Sequence, residues 1–107
     1  MKTLMVRYKT HAEHAETNAR LVHAVFDELR AKKPDGIRYA TYRLPDGVTF
    51  IHVATHVHDT SRLTSLPAFQ AFQANIKERC AEPPVVTELP VLDSYGFPPS
   101  ETEAPGS

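Results

Sequence analysis

Two runs of strand-forming residues, 37–44 (IRYATYRL) and 48–57 (VTFIHVATHV), flank Pro45-Asp46-Gly47. Asp-Gly supplies the positive φ angles of a tight turn, so the stretch reads as an antiparallel hairpin. Its position near the middle of the chain constrains everything around it. The remaining segments must cover one face of these strands or extend their sheet.

The flanking patterns supply both. Residues 3–9 (TLMVRYK) alternate as a strand, with Leu4, Val6 and Tyr8 on one side and Met5, Arg7 and Lys9 on the other. Thr10-His11-Ala12-Glu13 has the form of a capping box. It opens a helix that runs to about Lys33, with Ala15, Ala19, Val22, Phe26 and Leu29 as its apolar stripe. Pro34-Asp35-Gly36 stops that helix. Beyond the hairpin, Asp59-Thr60-Ser61 opens a connection with room for one helical turn. Ser65 then serves as N-cap and Pro67 sits in the first turn of a second helix reaching about Cys80. Phe69, Phe72, Ile76 and Cys80 form its stripe, so Cys80 is expected as a buried, inert thiol. Glu82-Pro83-Pro84 reads as the break, and residues 85–95 (VVTELPVLDSY) as a fourth strand. Pro90 cannot donate to a ladder, which puts this strand at an edge or a bulge. Residues 98–107 are Pro, Ser, Glu, Thr, Ala and Gly and are expected to form a disordered tail after a domain spanning 1–97.

The order strand, helix, strand, strand, helix, strand is the ferredoxin-like α+β arrangement. Right-handed crossovers give a four-stranded antiparallel sheet of order 4-1-3-2 with both helices on one face. The other face is then bare and carries large side chains. A homodimer that joins two bare faces into an α+β barrel is the expected solution. With 107 residues the chain has length for one domain. Its formal net charge of −1 leaves no basic excess for a nucleic-acid partner. A single cysteine excludes an intrachain disulfide and a Cys-based zinc cluster. No run approaches the roughly 20 apolar residues of a membrane span, and no signal peptide is recognisable, so a cytoplasmic protein is expected.

The third strand carries the chemistry. Phe50, His52, Ala54, His56 and His58 fall on one side by alternation; Thr49, Ile51, Val53, Thr55 and Val57 fall on the other. The second set is apolar and β-branched and is expected to pack on the helices, which leaves the histidine set facing the barrel interior. A tight turn sets Tyr39 opposite Ala54 and Thr41 opposite His52, while a different loop register exchanges Tyr39 for Tyr42. Imidazole titrates near neutral pH, so His52 and His56 are the candidate catalytic residues. Arg7, Tyr39, Phe50 and His58 are the candidate ligand-binding residues, for a small hydrophobic or aromatic molecule. The alternative is a set of polar residues lining a wet cavity or a dimer seam. No metal site is assigned. His56-Val57-His58 has a spacing that metal sites use, but no carboxylate alternates with it. The Cα atoms of His52 and His56 would lie ~13 Å apart on a strand. His11, His14 and His23 read as surface residues.

Gly36-Ile37-Arg38-Tyr39 before the hairpin, and Leu66-Pro67-Ala68-Phe69-Gln70-Ala71-Phe72 at the second helix, resemble the antibiotic biosynthesis monooxygenase family of dimeric α+β barrels. The resemblance covers roughly residues 1–97. It implies a cofactor-independent monooxygenase acting on a small aromatic or polyketide-like substrate without metal or flavin. In such a reaction a carbanion meets dioxygen directly, and Arg7 or Tyr39 would hold the anionic oxygen. Many members carry a tryptophan near the end of the third strand, and this chain has none. The Asn, His and Trp set of the haem-degrading branch has no counterpart here either. No family catalytic residue is therefore carried across by name. The alternative reading is a non-enzymatic small-ligand-binding or stress-associated barrel protein.

Overall fold

The computed structural model describes residues 1–96. Its elements are β1 (Lys2–Thr10), α1 (Ala15–Lys32), β2 (Ile37–Arg43), β3 (Thr49–His56), three short helices, α2 (Ser61–Thr64), α3 (Pro67–Gln73) and α4 (Ile76–Arg79), and β4 (Cys80–Glu88). The strands form one antiparallel sheet of order β2-β3-β1-β4, which is 4-1-3-2 read from the other edge. The helices cover one face of it. This is the expected ferredoxin-like α+β fold. No helix among the described residues is long and apolar enough to cross a membrane.

The hairpin turn is built as its sequence requires. Gly47 takes φ +79. The Asp46 carboxylate accepts from the backbone N–H groups of Val48 and Thr49, both at 2.9 Å, and from the Thr49 hydroxyl at 2.6 Å. These bonds hold the Asp46 carboxyl down at about 2. The turn fixes the register: Tyr39 opposes Ala54 and Thr41 opposes His52.

The sheet turns the opposite side of β3 toward the helices from the one expected. Phe50, His52, Ala54 and His56 are buried under the helices, while Ile51, Val53 and Thr55 lie half-buried on the uncovered face. The reason is the pairing with β1. Tyr8 opposes Phe50, Val6 opposes His52 and Leu4 opposes Ala54. The apolar side of β1 must join the core, and register carries its β3 partners with it. The β-branched side of β3 instead shares the uncovered face with Met5, Arg7 and the exposed Tyr42 and Val85.

Three local expectations are corrected. Thr10 caps no helix. It remains in β1 opposite Cys80, and its N–H and hydroxyl both donate to the Val48 carbonyl, at 2.8 and 3.2 Å. α1 is entered instead through a single 3-10 turn, Ala12–His14. Its buried line runs through Ala15, Asn18, Val22 and Val25, with Ala19, Phe26 and Leu29 packed at its margin.

The expected second helix is interrupted. α3 starts with Pro67 after Leu66, not Ser65, as N-cap, and it ends at Gln73. Asn75 follows at φ +62, a left-handed conformation that Asn tolerates. The Arg79 guanidinium then folds back and donates to the carbonyls of Phe72 and Ala74, at 2.6 and 2.9 Å, satisfying the end of α3.

β4 begins at Cys80, earlier than expected, and Pro83 and Pro84 lie inside it. β4 is an edge strand, and its ladder with β1 slips between Arg7 and Lys9, where the two prolines cannot donate. Cys80 is buried in the core as the first residue of this strand, and burial raises its thiol pKa. The expected tail, 98–107, lies outside the described residues.

Candidate functional site

His52 sits at the centre of the covered face, 4% exposed, with both ring nitrogens engaged. Nε2 lies 2.8 Å from the Tyr8 hydroxyl. Nδ1 lies 2.7 Å from the Tyr39 hydroxyl and 2.9 Å from the Thr41 hydroxyl. The rings of Tyr8 and Tyr39 stack near the imidazole, at 5.3 and 5.8 Å between centroids, and Phe26 stacks on Tyr39 at 5.0 Å. Behind Tyr8 the Asn18 amide donates to the phenol oxygen at 2.8 Å, and Arg79 Nε donates to Asn18 Oδ1 at 3.1 Å. Asn18 is fully buried, so each of its polar atoms has to find its partner inside the protein.

Desolvation dominates the electrostatics. Burial pushes His52 down to about 4 and Tyr39 up to about 12, and it raises Tyr8 further. At neutral pH the imidazole is uncharged and both phenols keep their protons. Burial also lowers His56, which is 3% exposed. The Nδ1 atom of His56 has no hydrogen-bond partner among the described residues.

His52 and His56 both line a cavity of about 250 Å³ between sheet and helices. Its walls are mostly apolar, including Leu4 and Val6 of β1, Leu63 of α2, and Phe69 and Phe72 of α3; Tyr8 and Tyr39 also border it. Such a wall gains by excluding water, and a buried imidazole nitrogen left unpaired there is costly unless a ligand satisfies it.

Of the sequence-derived candidates, His52, His56 and Tyr39 meet at this cavity. Three others do not. Arg7 is exposed on the uncovered face, because its neighbour Tyr8 takes the inward position. Phe50 is a core residue stacked on Tyr8 at 5.6 Å, and it borders a separate cleft between α1 and β2. His58 lies past the end of β3 and is exposed, with Nε2 3.9 Å from the Asp35 carboxylate. Tyr8, Asn18, Thr41 and Arg79 complete the polar cluster. The signal for Asn18 was its place between Ala15 and Val22 at helical spacing, where a polar residue interrupts an apolar line. Among the described residues no group of three or more His, Cys, Asp or Glu side chains is placed to hold a metal ion.

No protein-family model and no curated protein matches this chain. Solved structures do. Rv0793 from Mycobacterium tuberculosis is 23% identical, with a TM-score of 0.69 over 87% of this chain and 96% of its own. PA3566 from Pseudomonas aeruginosa is 20% identical, with a TM-score of 0.70 over 86% and 94%. A protein named as an antibiotic biosynthesis monooxygenase is 12% identical, with a TM-score of 0.71 over 87% of this chain and all of its own. The chain therefore has the fold of antibiotic biosynthesis monooxygenase-like proteins, the resemblance its sequence suggested.

Proposed function

We propose that this chain is a homodimeric α+β barrel protein acting as a cofactor-independent monooxygenase on a small aromatic substrate held between sheet and helices. The observation that carries the reading is the Nδ1 of His56, buried without a partner among the described residues in the wall of a largely apolar cavity. Structures of the same fold named for monooxygenase activity support the reaction class, although fold alone does not decide chemistry. A cavity of about 150 Å³ accommodates benzene, so one of about 250 Å³ suits one ring or two fused rings rather than a larger polycycle. In this reading the substrate hydroxyl donates to His56 Nδ1. Burial keeps that imidazole neutral at pH 7, which is the form a general base requires. The deprotonated ring supplies the electrons to dioxygen. One oxygen atom joins a ring carbon and the other leaves as water, so 1-naphthol would give 1,4-naphthoquinone.

Oxygen uptake with 1-naphthol, with the product identified by mass spectrometry, tests this directly. The expected result is turnover without added metal or flavin, lost in His56→Ala while the fold persists. A second reading is a binding protein for a neutral aromatic molecule. The neutrality of His52, Tyr8 and Tyr39 favours it, since three of the four titratable groups in the wall are held away from proton exchange. Binding of 1-naphthol that depends on His56, with no oxygen uptake, would establish that reading and remove the oxygenase.

A further inference from the structure

The polar cluster behind the cavity has a direction. Arg79 carries only donors. Its Nε donates to Asn18 Oδ1 and its other nitrogens to the carbonyls of Phe72 and Ala74. The Asn18 amide is thereby oriented with its oxygen toward Arg79 and its NH2 toward Tyr8, whose phenol oxygen must accept. The single proton of Tyr8 then has one acceptor beside it, His52 Nε2 at 2.8 Å. A neutral imidazole that accepts at Nε2 carries its proton on Nδ1. Nδ1 therefore donates toward Tyr39 Oη at 2.7 Å, with Thr41 Oγ1 beside it. With its oxygen occupied by that donor, Tyr39 turns its own O–H away from His52, where Thr41 Oγ1 and an acceptor in the cavity it borders compete for it.

We propose that Asn18 and Arg79, neither of which lines the cavity, are positioning residues. They set a one-way hydrogen-bond chain that fixes His52 as the Nδ1–H tautomer and makes Tyr39 a donor to a carbonyl oxygen of the bound molecule. The ligand half of this rests on the aromatic-cavity reading above. Together with the accepting nitrogen of His56, it specifies an aromatic molecule that bears a ketone or quinone oxygen at one end and a hydroxyl at the other. The chain gives a role to a buried Arg and a buried Asn one layer behind an apolar wall. In this sense the Tyr8 proton finds its acceptor inside the protein, whereas in the reverse sense it would be left to the cavity that Tyr8 also borders.

Long-range proton–nitrogen NMR correlations of the histidine-labelled full chain read the tautomer. His52 is expected with a protonated Nδ1 and a bare Nε2. Asn18→Asp inverts the chain, because the carboxylate still accepts from Arg79 but can only accept from Tyr8. Tyr8 then accepts from His52, and the proton moves to Nε2. Titration with 1-tetralone, using tetralin as the control without a carbonyl, reads the consequence. In the native protein 1-tetralone is expected to bind about tenfold more tightly than tetralin, the worth of one net hydrogen bond. In Asn18→Asp the ratio falls toward one. A bare Nδ1 in the native protein overturns the proposal even if the variant does not fold. An unchanged tautomer in folded Asn18→Asp overturns it as well. Failure of both probes to bind removes the aromatic-cavity reading and the ligand half, while the tautomer still decides the chain itself.

Discussion

Burying a histidine among phenols changes how the fold answers to acid. His52 has an unfolded-state pKa of 6.5 and a folded-state value of about 4. Between these two values the unfolded chain binds the proton and the folded chain does not, so stability falls as pH drops through that window. Above pH 6.5 the contribution is flat. At about 1.4 kcal/mol per unit the ceiling is ~3 kcal/mol, and His56, lowered by burial too, adds in the same direction. Chemical denaturation at pH 7, 5.5 and 4.5 is expected to show this decline, with a shallower slope in His52→Gln. A slope unchanged by that substitution would assign the acid sensitivity to other groups. At this scale the sequence was partly readable. The Asp46-Gly47 turn pointed to Tyr39 and left Tyr42 open for another loop register; the structure has the tight-turn register, with Tyr39 opposite Ala54. The partners of His52 were not readable, because Tyr8 and Arg79 come from other elements and only packing brings them within reach.

Among the elements, the interruption between α3 and α4 is the most informative. A continuous helix to Cys80 would satisfy the periodicity of Phe69, Phe72 and Ile76. Asn75 at φ +62 ends it instead, and Arg79 can then reach back to the carbonyls that the break exposes. The break therefore places Arg79 in the cluster behind the cavity. Asn75→Gly is expected to be neutral or slightly stabilising, since glycine takes this conformation freely. Asn75→Val, β-branched at a left-handed position, should cost ~1–3 kcal/mol in a denaturation series. Equal stability of the two variants would show that the left-handed residue is not what holds the break. The same logic explains the other misplaced boundaries. Thr10 and Glu13 match a capping box in sequence, but the pairing of Thr10 with Cys80 extends β1 and engages the hydroxyl elsewhere. Pro83 and Pro84 look like a stop, yet an edge strand tolerates them where its ladder already slips.

At the scale of the molecule, the sheet has one face under helices and one face uncovered. Met5, Tyr42, Ile51, Val53 and Val85 share the uncovered side, a patch that a second copy could bury. Analytical ultracentrifugation at micromolar concentration is expected to give twice the chain mass, and Val53→Asp to shift the protein toward monomer with His52 chemistry intact. A native protein that sediments as a monomer would remove the barrel. The order of strands was legible because crossover handedness and hairpin adjacency leave few alternatives. The side of β3 that meets the helices was not legible from β3 alone, whose β-branched side looks the more apolar. It follows from β1, where Leu4, Val6 and Tyr8 face Met5, Arg7 and Lys9 and the contrast is sharper.

That alternation has a consequence for how substitutions along β3 should sort. Positions 50, 52, 54 and 56 face the core and the cavity; positions 51, 53 and 55 face the open side. The strand is one residue thick, so the two environments share a backbone but no side chain. Parity, rather than distance along the chain, then divides the phenotypes. Changes at positions 52 and 56 are expected to register in acid sensitivity and in the proposed ligand affinity, and changes at positions 51, 53 and 55 in the proposed self-association. Each property can drift in sequence without disturbing the other.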